Sequence, residues 1–293
     1  MTENFLSSHL TLDKINQLDV LRIQNKAASA VIAVQGAHIF EFTPTEGHNL
    51  LFVSEAENFE TGKAIRGGIP ICWPWFGAHK EVKEATAHGF VRNQPWQYKL
   101  VHDSENRTDI KFWFETSGTD VGFEHQARVE LLVSIGDTLQ VSLTTHNLDT
   151  HPFIISQALH SYFNCQNISD VRIFGIEGFR YLDSVTQKSN CVPNDFSFDR
   201  EIDWIVIDQG QAIELSGLAQ PSIRLSRSGS RSLVIWNPWI EKSKTLSQFH
   251  KFDYKKMFCL ETTNISEDSR LVKPNASHLM KMELTTVNSN EPH

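Results

Sequence analysis

VELLVSIGDTLQVSLT, residues 129–144, is the stretch whose reading decides the fold. Val129, Leu131 and Val133 alternate with Glu130, Leu132 and Ser134, a period of two that gives an extended strand one apolar face. Gly136-Asp137 then supplies turn chemistry, because glycine tolerates positive φ. Leu139, Val141 and Leu143 repeat the alternation against Gln140, Ser142 and Thr144. The segment predicts an antiparallel hairpin. Outward from it the same signal recurs. Residues 30–34 meet a turn at Gly36 before 39–42, and Ile110, Phe112 and Phe114 alternate with Lys111, Trp113 and Glu115. Ile223 and Leu225 lead through Gly229 into Leu233 and Ile235, and Met280, Met282 and Leu284 alternate with Lys281 and Glu283. Long helical periodicity is missing, and residues 247–256 predict one short helix. Closely spaced strands imply a sandwich or barrel. The expectation is one large all-β domain over residues 1–293, with no linker or fixed repeat and a frayed polar end at 288–293.

A chain of 293 residues can bury a large core without disulfides or metals to staple it. Its net charge of -8 excludes a basic nucleic-acid footprint and requires any anion site to be made locally. No segment reaches the apolar length of a membrane span. Asp13, Lys14, Asn16 and Gln17 interrupt the start, which lacks the pattern of a signal peptide. Cys72, Cys165, Cys191 and Cys259 are scattered without CxxC spacing, which predicts buried free thiols and a reducing, cytoplasmic location.

Four places carry candidate chemistry. Residues 66–77 read RGGIPICWPWFG, where two prolines and three glycines exclude a regular helix. Its tryptophans offer flat surfaces to sugar C–H faces, although composition favours a loop that plugs one end of a sandwich. Arg66 beside two glycines suits a phosphate, which guanidinium binds through paired hydrogen bonds. His88-Gly89-Phe90-Val91-Arg92 places a histidine and an arginine within reach of one polar ligand, or simply forms a surface loop. His160-Ser161-Tyr162-Phe163 carries a group that titrates near neutrality, or a structural histidine among aromatics. Phe258-Cys259-Leu260-Glu261 ends an apolar run on a carboxylate, which predicts Glu261 at the rim of a sheet. Thirteen histidines show no HExxH, HxH or zinc-finger spacing, so no metal site is expected. Gly67-Gly68 opens neither a P-loop nor a GxGxxG.

These four motifs, in this order, resemble the aldose 1-epimerase superfamily, and RGGIPICWPWFG resembles its hexose-6-phosphate mutarotase branch. HGFVR, ALHSYF and CLETTN are similar to later motifs of that branch, so the resemblance spans residues 66–264. It implies a large antiparallel β-sandwich, the galactose mutarotase-like supersandwich, with a cleft on one sheet. It implies Glu261 as base and His160 as acid in sugar ring opening. By the same resemblance His88, Arg66 and Asp203 contact sugar and Arg92 contacts phosphate. No cofactor is implied, and the implied partner is a small sugar phosphate rather than nucleic acid or membrane. Trp204 stands where relatives often carry a basic residue, and Ala87 where some carry glutamine. Three other readings stay open. A non-catalytic carbohydrate-binding module would not need both His160 and Glu261. A free-aldose mutarotase would use the arginines for structure or sugar. A saccharide hydrolase normally needs two carboxylates flanking the bond.

Overall fold

The structure is a computed structural model that describes residues 4–218 and 221–287. The 129–144 segment forms the predicted hairpin, Ala127–Ile135 against Thr138–Asn147, with Val133 opposite Val141 and Leu131 opposite Leu143. Val129, Leu131, Val133, Leu139, Val141 and Leu143 are fully buried. Each such side chain contributes about 1.5–3 kcal/mol relative to exposure. A one-residue slip would turn all of them toward solvent, so burial fixes the register. This hairpin is the middle of an eight-stranded sheet that runs from Arg172–Phe174 to Gln97–Ser104.

A second eight-stranded sheet faces it. Its main path is Lys188–Cys191, Arg180–Asp183, Ile202–Ile207, Ser232–Asn237, Met257–Asn264, Gln157–Leu159 and Ile71–Cys72. Tyr162–Asn164 pairs with Met257–Asn264 beside that path. A five-stranded sheet, from Asn4–Phe5 to His38–Pro44, and the pair Phe153–Ile155 with Arg270–Val272 complete the architecture. The strand pairings in all of these sheets are antiparallel. One apolar core joins Leu131 and Val141 of the first sheet to Leu233, Ile235, Phe258 and Leu260 of the second.

Three expectations need correction. The short helix is Trp239–Ser243, and only a three-residue 3-10 turn, Asp253–Lys255, falls within 247–256. Pro238 is the helix N-cap and Trp239 takes φ +53°, a start that lies upstream of the predicted segment. Cys191 is exposed, whereas the other three free cysteines are buried. Glu261 lies inside Met257–Asn264, a strand buried along its whole length, rather than at a rim. The frayed end expected at 288–293 lies outside the described residues.

The 66–77 loop is a plug. Trp73 is fully buried and donates from Nε1 to Thr145 Oγ1 at 2.9 Å, and Trp75 donates to the Thr86 carbonyl at 3.0 Å. Neither ring forms an open sugar platform. The loop passes against Gly89, where φ is +74° and an added Cβ would stand 1.8 Å from the Trp73 carbonyl oxygen. Gly62 has a similar φ of +77°, and no described residue beyond its chain neighbours comes within 4 Å of an added Cβ. Gly62→Ala is expected to cost about 1–2 kcal/mol, the penalty of a left-handed side chain alone. Gly89→Ala should cost at least twice as much, read from urea midpoints. Equal losses would mean that the plug yields.

Candidate active site

Alternation along three neighbouring strands builds one wall of the site. In Met257–Asn264, Phe258 and Leu260 enter the main core, so Cys259 and Glu261 face the other way. In Ser232–Asn237, Leu233 and Ile235 enter the core and leave Val234 and Trp236 on the outer face. In Ile202–Ile207, Ile202, Trp204 and Val206 go in, while Asp203 and Ile205 go out. Register then sets these residues in rows. Asp203 pairs with Trp236, Trp236 with Cys259, and Cys259 with Tyr162. The next row holds Ile205, Val234 and Glu261.

His160 arrives through an interruption. Leu159 pairs with Thr262 and Tyr162 pairs with Cys259, so His160 and Ser161 occupy a break beside Leu260 and Glu261. The His160 N–H donates to the Pro70 carbonyl of the loop at 3.1 Å. His160 Nδ1 thereby stands 3.4 Å from Glu261 Oε1. The imidazole stacks on Tyr162, with centroids 4.8 Å apart and planes 8° from parallel.

The loop supplies the opposite wall. The His88 N–H donates to the Gly77 carbonyl at 2.7 Å, and the Gly77 N–H donates to His88 Nδ1 at 3.3 Å. An Nδ1 that accepts leaves the ring proton of a neutral imidazole on Nε2. Phe76 packs edge-on against His88 at 4.7 Å. Together the walls enclose a cleft of about 460 Å³, within the ordinary range for small-molecule sites.

Burial governs the electrostatics. It raises the Glu261 carboxyl well above its ordinary range, and nearby Asp203 pushes in the same direction. It also holds His160 well below ordinary histidine, helped by His88, Arg92 and Arg66. His88 falls to about 3, first through burial and then through Arg92 and Arg66, so it is neutral. Burial therefore favours a neutral pair, with the proton they would share on Glu261. Glu261 Oε2 and His160 Nδ1 are buried without hydrogen-bond partners among the described residues. Such groups await polar contacts from a ligand. Asp203 is raised by burial and lowered by Lys242.

Arg66, His88, His160, Asp203 and Glu261 all line this cleft. Arg92 is not among its lining residues, and its Nη2 donates to the Ala87 carbonyl at 2.9 Å. Its charge still reaches His88, His160 and Glu261. Trp204 faces the core and stacks on Tyr181 at 3.8 Å, so a basic residue is missing there from the buried face, not from the cleft. Sequence reasoning missed Tyr162, Trp236 and Lys242 as lining residues. Tyr162 sat inside a quoted motif, and Trp236 shares the alternation of Leu233 and Ile235 with opposite phase. Lys242 carried no signal. His160, Cys259 and Glu261 also bring ligand atoms of metal-binding types within 4.8 Å of one another. The Cys259 thiol is raised well above its ordinary range by burial, so a cation would have to displace protons from both Cys259 and Glu261.

A family model described as Aldose 1-epimerase matches residues 19–285. An Escherichia coli K12 protein named "Putative glucose-6-phosphate 1-epimerase" is 29% identical over 278 residues, covering 94% of this chain and 92% of its own. A crystal structure of a "putative mutarotase" from Salmonella typhimurium superposes with a TM-score of 0.90 at 25% identity, over 97% of this chain and 96% of that one. A galactose mutarotase-like protein from Clostridium acetobutylicum shares the fold with a TM-score of 0.74 at 15% identity, over 95% and 98%.

Burial of Glu261 has a sign that stability measurements can read. A raised pKa in the fold means that the folded chain binds this proton more tightly than the unfolded chain. The contribution is complete below the ordinary value of 4.5 and is lost as pH rises toward the folded value. Glu261→Gln removes that loss. Its thermal midpoint should exceed that of the wild type at neutral pH, with the gap closing below about pH 4. A constant gap across this range would refute the buried-acid description.

Proposed function

The chain belongs to the aldose 1-epimerase family, and we propose that it is a hexose-6-phosphate mutarotase that interconverts the α and β anomers of glucose 6-phosphate or a close relative. The observation that carries this reading is the His160–Glu261 pair, 3.4 Å apart in one enclosed cleft with a guanidinium at its wall. Transfer of the pair's proton from Glu261 to His160 gives carboxylate and imidazolium. Sugar hydroxyls that donate to the carboxylate favour this form, as does a phosphate dianion beside Arg66, whose charge otherwise opposes the imidazolium.

Glu261 then takes the proton of the C1 hydroxyl. The C1–ring oxygen bond breaks, its electron pair goes to the ring oxygen, and His160 protonates that oxygen. C1 becomes an aldehyde carbonyl. Rotation about C1–C2 presents the other carbonyl face. On closure the former ring hydroxyl adds to C1, His160 recovers its proton, and Glu261 returns the other to the new C1 oxygen. Neutral His88, with its proton on Nε2, donates to a sugar oxygen, and Asp203 accepts from sugar hydroxyls. Arg66 pairs with the phosphate through charge-assisted hydrogen bonds. The reaction already proceeds slowly in water, so positioned proton transfer and orientation suffice.

Anomer-exchange NMR on glucose 6-phosphate and on glucose tests this reading. Glu261→Gln and His160→Asn should each lower exchange by about 10²–10⁴-fold in folded protein. Arg66→Ala should cost the phosphorylated sugar about 1.5–3 kcal/mol per lost bond, and cost glucose much less. Near-wild-type exchange by folded Glu261→Gln would remove the acid-base assignment. Equal losses for both sugars in Arg66→Ala would point to a free-aldose mutarotase.

A further inference from the structure

We infer that Lys242 is a specificity-determining residue, the second cation that receives the substrate's phosphate beside Arg66. This inference rests on the hexose-6-phosphate reading above. Lys242 lies in the last turn of the short helix Trp239–Ser243 and lines the same cleft as Arg66, His160 and Glu261. The chain continues from it past Leu246, which also lines the cleft, to Ser247, whose carbonyl accepts from Arg66 Nε at 3.3 Å. One short piece of chain therefore carries Lys242 and holds the Arg66 head.

Charge balance requires a second cation. A phosphate monoester carries roughly −1.5 to −2 at pH 7. The cleft already contains the carboxyl group of Asp203, while the Glu261–His160 pair adds no net charge in either arrangement of its proton. Arg66 alone leaves the bound substrate and cleft with a negative surplus. Arg92 does not line the cleft and is engaged by the Ala87 carbonyl. Lys242 is the other Lys or Arg among the cleft's described lining residues.

Lys242 is also free to respond. Its Nζ lies 3.2 Å from Glu201 Oε1 and 4.0 Å from Asp203 Oδ2, with the side chain 38% exposed. The longer contact is attraction without a hydrogen bond. Of three N–H donors, at least one is left for an anion. Sugar hydroxyls that donate to Asp203 would replace the lysine's share there. A four-carbon stem on an exposed helix end can then carry the ammonium toward phosphate. A role confined to Asp203 makes a different prediction, because it would affect every sugar equally.

The test combines anomer-exchange kinetics on glucose 6-phosphate and glucose with calorimetric titration by inorganic phosphate. Wild type is compared with Lys242→Met, Lys242→Gln and Lys242→Arg, with thermal midpoints to establish folding. Both neutral variants should raise KM for glucose 6-phosphate about tenfold, the effect of one weakened charge-assisted contact, with a much smaller change in kcat. Their affinity for inorganic phosphate should fall in parallel, while glucose loses several-fold less than glucose 6-phosphate. Lys242→Arg should recover most of the loss. Equal losses on both sugars, or unchanged phosphate affinity, would overturn the proposal and leave Lys242 as a support for Asp203. Wild-type protein that exchanges neither sugar would instead defeat the mutarotase reading, and the phosphate titration would still decide whether Lys242 belongs to an anion site.

Discussion

The desolvation of Glu261 is the constraint on which the rest of the site depends. Met257–Asn264 is buried on both faces. Phe258 and Leu260 hold one face in the main core, and the opposite face carries a carboxyl that water scarcely reaches. A buried charge without partners is expensive, so the group keeps its proton until a ligand supplies partners. The same dryness acts on His160 and Cys259. Burial thereby moves the two groups in opposite directions from ordinary values that differ by two units, His160 down and Glu261 up.

The alternating pattern of the chain made the strands legible because each strand carries its own signal. The 129–144 hairpin could be read from a dozen residues, and its buried apolar face fixed the register, with Ile135 opposite Leu139 across a three-residue loop in which Gly136 does not take a positive φ. The relation between strands was less accessible. Residues 203, 236, 259 and 162 form one row only through pairings between distant segments. Local pattern cannot state those pairings. The motif resemblance singled out Arg66, His88, His160, Asp203 and Glu261, and the structure gathers them in one cleft. It did not reveal that Arg92 turns to the Ala87 carbonyl or that Lys242 enters from a helix end. Nor did it distinguish a strand rim from the buried middle, since both end an apolar run. The tryptophans of the 66–77 loop show the same ambiguity. Only their hydrogen bonds to Thr145 and Thr86 establish a plug.

Arg66 and Lys242 line the cleft, whereas Arg92 acts at a distance through its field. A cation outside the lining still biases His160 and His88 toward neutrality, because a low-dielectric interior screens weakly. On the proposed reading, a phosphate dianion in the cleft would oppose that bias.

The His160 N–H is bonded to Pro70 rather than to the sheet, while His88 and Gly77 exchange two bonds. The plug is thereby tied into the sheet: His160 stands between two of its strands and bonds to Pro70, next to the sheet strand Ile71–Cys72, while Glu261 and Asp203 lie within its strands. His88 and the 66–77 segment hold each other as one unit at the cleft wall. A cassette exchange among related chains would therefore have to move the 66–77 and 88–92 segments together, since each alone would lose the bonds that hold the other.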